Sequence, residues 1–242
     1  MESTTTYDFP APIGLQEIVT AGATATFAIT DTTSADGCQT TTSGSCQLIT
    51  DCTPSDTPNG TVNLVDAGAI SVTGLDPSPV TLGMPTSNQG YVSPAYAAYL
   101  WTASTPVTVT VTGSPSVPAY TMSITAPNPI TVTAPTSVSV GADGPTYRIA
   151  RDTDLIVTWT GGVDGTVTVN LISGTAPNGV GVICSVDAAT GTVTIPASLM
   201  TNLGASGGLV VGVETAAYEM VNDWQMGFQA QVIGAQGTVD FY

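Results

Sequence analysis

The chain contains no histidine and no lysine, and its cations are Arg148 and Arg151 alone, set against 18 Asp and Glu in 242 residues. The formal net charge is −16 at pH 7. Nucleic-acid binding depends on Lys and Arg neutralising phosphates, so this composition excludes nucleic acid as a direct partner. The same argument excludes attraction to an anionic membrane surface. Without histidine or lysine there is no Ser-His-Asp or Cys-His site, no imidazole metal site, no Schiff base and no P-loop. An enzyme would be left with carboxylates alone, and a metal site with oxygen ligands suited to Ca²⁺. No run of about 20 apolar residues occurs, which argues against direct membrane insertion.

The N-terminal sequence Met1-Glu-Ser-Thr-Thr-Thr-Tyr-Asp8 has neither the basic nor the apolar region of a secretory leader, so the expectation is a mature form. Charged residues make up 8% and hydrophobic residues 42%, enough apolar material for a packed core rather than a disordered tail.

What is present is strand signal. Thr105–Gly113 sets Val107, Val109 and Val111 on one face and Thr108, Thr110 and Thr112 on the other, the period-two mark of a half-buried strand. Comparable runs occupy 23–30, 68–74, 120–125, 130–133, 155–160, 166–172, 191–195 and 209–214, most of them bounded by Gly, Pro, Asn or Asp. A further strand is expected over 224–233, with Trp224, Met226, Phe228, Ala230 and Val232 on one face and Gln225, Gln229 and Gln231 on the other. Gly234–Gly237 then reads as the turn of a closing hairpin. The one credible helical turn is 196–203, with Pro196 opening it and Gly204 stopping it.

Short strands at close spacing, with no long amphipathic helix between them, predict an all-β fold. The expected architecture is two antiparallel β-sandwich, immunoglobulin-like domains with an extended N-terminal arm. Proline punctuation at Ala126-Pro-Asn-Pro-Ile130 suggests the division: an arm over 1–12, a first sandwich over 13–127 and a second over 128–242.

Cys38, Cys46, Cys52 and Cys184 form an even set whose spacing does not match zinc knuckles, so they are disulfide candidates with the pairing open. The first three fall in a loop-like Gly/Ser/Thr-rich region, and Cys184 in an apolar stretch that suits a buried strand. Disulfides, Thr/Ser richness and scarce cations together point to an extracellular or cell-surface location.

Three passages carry a resemblance: Ser116-Val-Pro-Ala-Tyr-Thr-Met-Ser-Ile-Thr-Ala-Pro127, Asp152-Thr-Asp-Leu-Ile-Val-Thr-Trp-Thr-Gly-Gly162 and Thr194-Ile-Pro-Ala-Ser-Leu199. Across residues 60–242 the chain resembles a group of uncharacterised secreted or lipid-anchored β-sandwich proteins of gliding soil bacteria. The resemblance implies an extracellular or envelope location and an all-β fold. It transfers no activity and no site residue.

Asp143, Asp152, Asp154 and Asp164 cluster around Gly-rich turns and are the calcium candidates, against the plainer reading that they are turn aspartates, with Asp152 or Asp154 paired to Arg148 or Arg151. Carboxylate hydrolysis would need Glu214 with Glu219 or Asp223, about 5–10 Å apart across a cleft. Glu219 and Asp223 read as loop residues, and no aspartic-peptidase signature occurs, so the expectation is no enzyme. Two aromatic clusters, Tyr91, Tyr96, Tyr99 and Trp101, then Tyr218, Trp224 and Phe228, offer ring faces that stack sugars, against a core-anchoring role; Tyr218 and Trp224 are the ligand-binding candidates. Asn59-Gly60-Thr61 matches a glycosylation sequon and also reads as a turn.

Natural sheets guard open edges with lysine, proline or inward charge, and this chain has no lysine to place there. Thr/Val strands without such guards accept another strand, including a neighbour's N-terminal arm. The sequence therefore points to an extracellular structural or adhesive protein that self-associates by strand or arm exchange as a filament or surface-layer subunit, with no cofactor. The alternative is a Ca-assisted glycan-binding module, whose partner is a glycan or a surface protein.

Overall fold

A computed structural model describes residues 2–8, 16–22, 24–25, 28–29, 37–53, 63–76, 78–82, 91–94, 100–141, 144–174 and 179–242. The fold is all-β, and among the described residues there is one short helix, Ala197–Met200, and one 3₁₀ turn, Ala188–Thr190. Asp143, Tyr96, Tyr99 and the Asn59 sequon lie outside the described residues.

Period-two alternation dictates the core. In Pro106–Val111 the valines Val107, Val109 and Val111 are buried and the threonines face outward, with Thr108 Oγ1 2.7 Å from Ser123 Oγ on the paired strand. This strand lies in a four-stranded antiparallel sheet in the order Tyr120–Thr125, Pro106–Val111, Ile70–Thr73, Val80–Leu82. A three-stranded sheet follows in the order Ile130–Ala134, Leu155–Gly161, Thr192–Ile195. The chain passes from one sheet to the other through the proline segment 126–129, where the Trp101 indole N–H donates to the Pro127 carbonyl at 3.4 Å.

The largest sheet is ten-stranded. Its main path runs Ser139–Gly141, Gly144–Ile149, Trp224–Phe241, Ser206–Val221, Thr166–Ser173, Val180–Asp187, Cys46–Thr53, Gly37–Ser43. Pairing is antiparallel except where Gly144–Ile149 and Glu2–Asp8 run parallel to Trp224–Phe241. Val167, Val169, Leu171, Val182, Leu209, Val211 and Val213 on its inner face have no exposed surface. They join Val157, Trp159, Val193 and Ile195 of the three-stranded sheet in one apolar core. Two sheets so packed make a sandwich, consistent with the expected class.

Cysteine placement corrects the loop reading of 38–52. The segment is a hairpin, Gly37–Ser43 with Cys46–Thr53, turning at Gly44-Ser45, where Gly44 holds φ 60°. No alternation announces the first of these strands because it is the last strand of the path and has no apolar face to bury. Cys46 sits opposite Cys184 in the strand register and is disulfide-bonded to it, both residues being buried. Cys38 is disulfide-bonded as well. The Cys46–Cys184 bond suggests an oxidising, non-cytoplasmic environment. It also ties residue 46, from the sequence before the proline segment, to the sheet built largely after it.

The expected closing hairpin at 234–237 is not formed. Trp224–Phe241 is one strand of 18 residues, and its register with Ser206–Val221 skips Gly234, which bulges. The bulge switches the buried phase from Phe228, Ala230 and Val232 to Val239 and Phe241. A side chain at 234 would collide with Ile130, so glycine here admits the three-stranded sheet rather than making a turn. Among the described residues no helix is long and apolar enough to cross a membrane.

Candidate functional site

Two features converge on the long hairpin Ser206–Val221/Trp224–Phe241. Its base is flanked by Thr166–Ser173 on one side and by Gly144–Ile149 on the other. Its tip, Thr215–Phe228, extends past those neighbours and turns at Asn222-Asp223, with Asn222 at φ 55°. Asparagine is among the few side chains that tolerate this left-handed region. The tip's inner face carries Trp224, Met226 and Phe228 against the four-stranded sheet, and Thr215 Oγ1 donates to the Thr125 carbonyl at 2.6 Å. Its outer face leaves Tyr218 68% and Met220 63% exposed.

Beside the hairpin lies the N-terminal strand. Glu2–Asp8 pairs antiparallel with Gln16–Gly22, and its first residues Glu2 and Ser3 align in parallel with Gln231 and Val232. The predicted arm is thus a strand added to the edge of Trp224–Phe241, in the gap between the tip and Gly144–Ile149. The sequence suggests an arm over 1–12, and the strand's docking partner has no local signal.

A cleft of about 240 Å³ opens between the turn and the loop Ser114–Pro118, walled by Asn222, Asp223 and Trp224. Ser114 fixes that loop: its hydroxyl donates to the Asp66 carbonyl at 2.7 Å and accepts from the Ser116 and Val117 amides. Trp224 therefore lines a surface cleft while resting on the core. Tyr218 does not share it. The two rings occupy opposite faces of the ribbon, because Trp224 pairs with Val221, three positions from Tyr218. The Tyr218 ring instead covers its cross-strand partner Gly227, whose missing side chain it replaces. In the other cluster Tyr91 and Trp101 are buried.

The carboxylates are dispersed. Asp152 and Asp154 precede the seven-residue strand Leu155–Gly161 and Asp164 follows it, so about 20 Å separates the two groups. Asp154 accepts from the Ala197 amide at 2.9 Å, capping the short helix. Among the described residues no three acidic or cysteine side chains gather as metal ligands. Arg151 donates to the Leu203 carbonyl at 2.8 Å, and Arg148 stacks on the Tyr242 ring at 4.9 Å from its centroid.

Glu219 lies inside the strand Ser206–Val221, not in a loop, and the exposure of the ribbon tip explains its missing alternation. Glu214 and Glu219 are five positions apart on one strand, about 17 Å, and on opposite faces. Asp223 is farther still, at the turn, so neither pair has hydrolase spacing. Half-burial pushes the Glu214 carboxyl above its usual range, although the Gln229 amide donates to it.

A tighter polar lock holds the four-stranded sheet. The buried Tyr91 hydroxyl donates to Asp66 Oδ1 at 2.6 Å and accepts from the Ala67 amide at 2.8 Å. This bond, with one from the Gly68 amide, holds the Asp66 carboxyl below the ordinary carboxylate range. No protein-family model matches the sequence, and no curated protein matches it.

Proposed function

We propose that the chain is an extracellular structural or adhesive β-sandwich protein that assembles on itself by strand exchange, and that it is not an enzyme. One observation carries the reading: the N-terminal strand, paired on its other side with Gln16–Gly22, docks through Glu2 and Ser3 on the edge of Trp224–Phe241 at Gln231 and Val232. A strand held at an edge by its own chain can be given to the same edge of a neighbour with the same hydrogen bonds, which makes domain swapping inexpensive. Head-to-tail donation whose rotation does not close into a ring builds filaments or surface layers. The disulfide and the scarcity of cations support an extracellular setting, and the resemblance to secreted or lipid-anchored envelope proteins agrees with it. Within this reading two sandwich units meet at 127–128, and the hairpin Gly37–Thr53 laces the first to the second.

Negative-stain electron microscopy over a concentration series tests the reading. Fibres or sheets should form at high concentration and disappear when residues 1–12 are removed. Uniform single particles of the intact chain at every concentration would refute it.

The glycan-binding alternative draws on the cleft of about 240 Å³ lined by Trp224, Asp223 and Asn222, a space sized for one sugar unit. Calcium is left out of this version, because among the described residues Asp152 and Asp154 stand at the opposite end of a strand from Asp164. Glycan-array binding that is lost in Trp224→Ala would support it.

A further inference from the structure

The outer face of the ten-stranded sheet departs from the rest of the molecule. One end of it carries a charged row containing Asp187 and Glu214, paired through Thr166, and the other a row containing Asp240 and Arg148. Between those rows the outward positions of the three central strands are threonine, asparagine, serine, glycine, isoleucine and valine, none of which ionises. In a chain of net charge −16, this is a broad surface that a like-charged copy can approach without burying carboxylates.

Its relief is self-complementary. Ile172 stands 51% exposed between two glycines directly opposite it, Gly181 on one neighbouring strand and Gly208 on the other. Neither glycine is required by the fold. A Cβ at Gly181 would find its nearest neighbour, the Leu171 carbonyl oxygen, at 3.9 Å, and one at Gly208 would meet the Gly237 carbonyl oxygen at 3.7 Å, both ordinary contacts. Neither has positive φ. The adjacent Gly207 is different, since a Cβ there would strike the Ile172 carbonyl and the Phe241 ring. Glycine weakens the middle of a strand relative to alanine, and where packing inside the chain does not demand it, its structural use is the close approach of a ligand or another backbone.

We infer that this face is a homodimer interface, in which a two-fold axis between the facing sheets sets the Ile172 of each copy into the glycine recess beside the Ile172 of the other. Ile49, Ile183 and Val210, all half-buried in the single chain, flank the knob and complete an aliphatic strip. Eight-residue stretches at about 3.4 Å per residue, on four fully paired strands about 4.8 Å wide, give roughly 520 Å² per copy, with the two charged rows at the rim. The pair would bury about 1,050 Å², just past the roughly 1,000 Å² that a biological interface should clear. The contact uses no residue of the N-terminal strand, so it stands apart from arm exchange. Combined with arm exchange, it joins two filaments back to back.

Sedimentation velocity on the full chain, at about 1–100 μM, separates the two contacts. Gly208→Thr fills the recess with a residue that favours strands, and Ile172→Asp charges the knob. Each should weaken face dimerisation at least tenfold, while the melting temperature of Gly208→Thr stays at or above that of the parent. Ser3→Pro removes an arm amide and should leave the face dimer intact. Raising NaCl should strengthen the dimer by screening its like charges. The inference is overturned if Gly208→Thr associates as the parent does, or if Ser3→Pro alone abolishes all association. The second result would leave arm exchange standing.

Discussion

The two faces of the ten-stranded sheet are made by the same strands, yet they are finished by opposite rules. Leu171 faces inward with no exposed surface, and Ile172, the next residue, faces outward half exposed. Inside, branched side chains fill volume, and every glycine that survives there is forced by a near collision, as at Gly207 and Gly234. Outside, charge is withheld between the two bordering rows, and Gly181 and Gly208 stand where side chains would fit. The contrast teaches that a glycine means different things on the two sides of one sheet: an internal fit on one, a surface left open for a second molecule on the other.

The largest expected effect tests how the inner face is tied to the hairpin Gly37–Thr53. Cys46 and Cys184 are 138 residues apart in sequence, and closing so long a loop in the unfolded chain is worth about 5 kcal/mol in the chain-entropy model. Cys46→Ala with Cys184→Ala should lower the urea midpoint accordingly. A midpoint unchanged from the parent would show that the hairpin is not fixed by that bond.

Next comes the direct comparison between neighbours. Leu171→Ala should cost about 3 kcal/mol through lost burial and an unfilled cavity. Ile172→Ala, measured below the concentration of assembly, should cost about 0.5 kcal/mol. Equal costs would break the distinction between the faces.

A smaller effect lies at the charged border of the outer face. Burial raises the Glu214 pKa in the folded chain, so the ionised form weakens folding: full stability is present below the ordinary value of 4.5 and declines as pH rises through the raised value. Glu214→Gln should therefore stabilise the protein at pH 7, with the advantage fading as pH falls through the raised value and gone below the ordinary value of 4.5. Thermal melts from pH 3 to 8 check this.

The smallest effect belongs to the four-stranded sheet, remote from both faces. Asp66 has its pKa lowered by the Tyr91 hydroxyl, so its contribution is present above the ordinary value of 3.8 and is lost as pH falls through the lowered one. Asp66→Asn should flatten that part of the acid limb and leave the Glu214 response unchanged.

Period-two patterning made the inner face legible in advance. Val107, Val109 and Val111, and the run Met226 to Val232, are buried as their alternation predicts. Where strands lacked an apolar side to bury, as in Gly37–Ser43 and the ribbon tip around Glu219, no pattern existed to read. Gly234 misled because glycine signals both turns and bulges, and only the approach of Ile130 decides between them. Of the candidate site, Trp224 was legible in the sequence as one of the aromatic cluster Tyr218, Trp224 and Phe228. The cleft it lines was not, because Ser114–Pro118 lies more than a hundred residues earlier. The docking of residues 2–3 beside 231–232 is likewise a long-range pairing that no local pattern encodes.

Sedimentation equilibrium of the intact, oxidised chain across concentrations, in about 0.15 M salt, tests self-assembly most directly. The account predicts an average mass that rises with concentration beyond that of the 24.3 kDa chain. A single species of that mass throughout would contradict it.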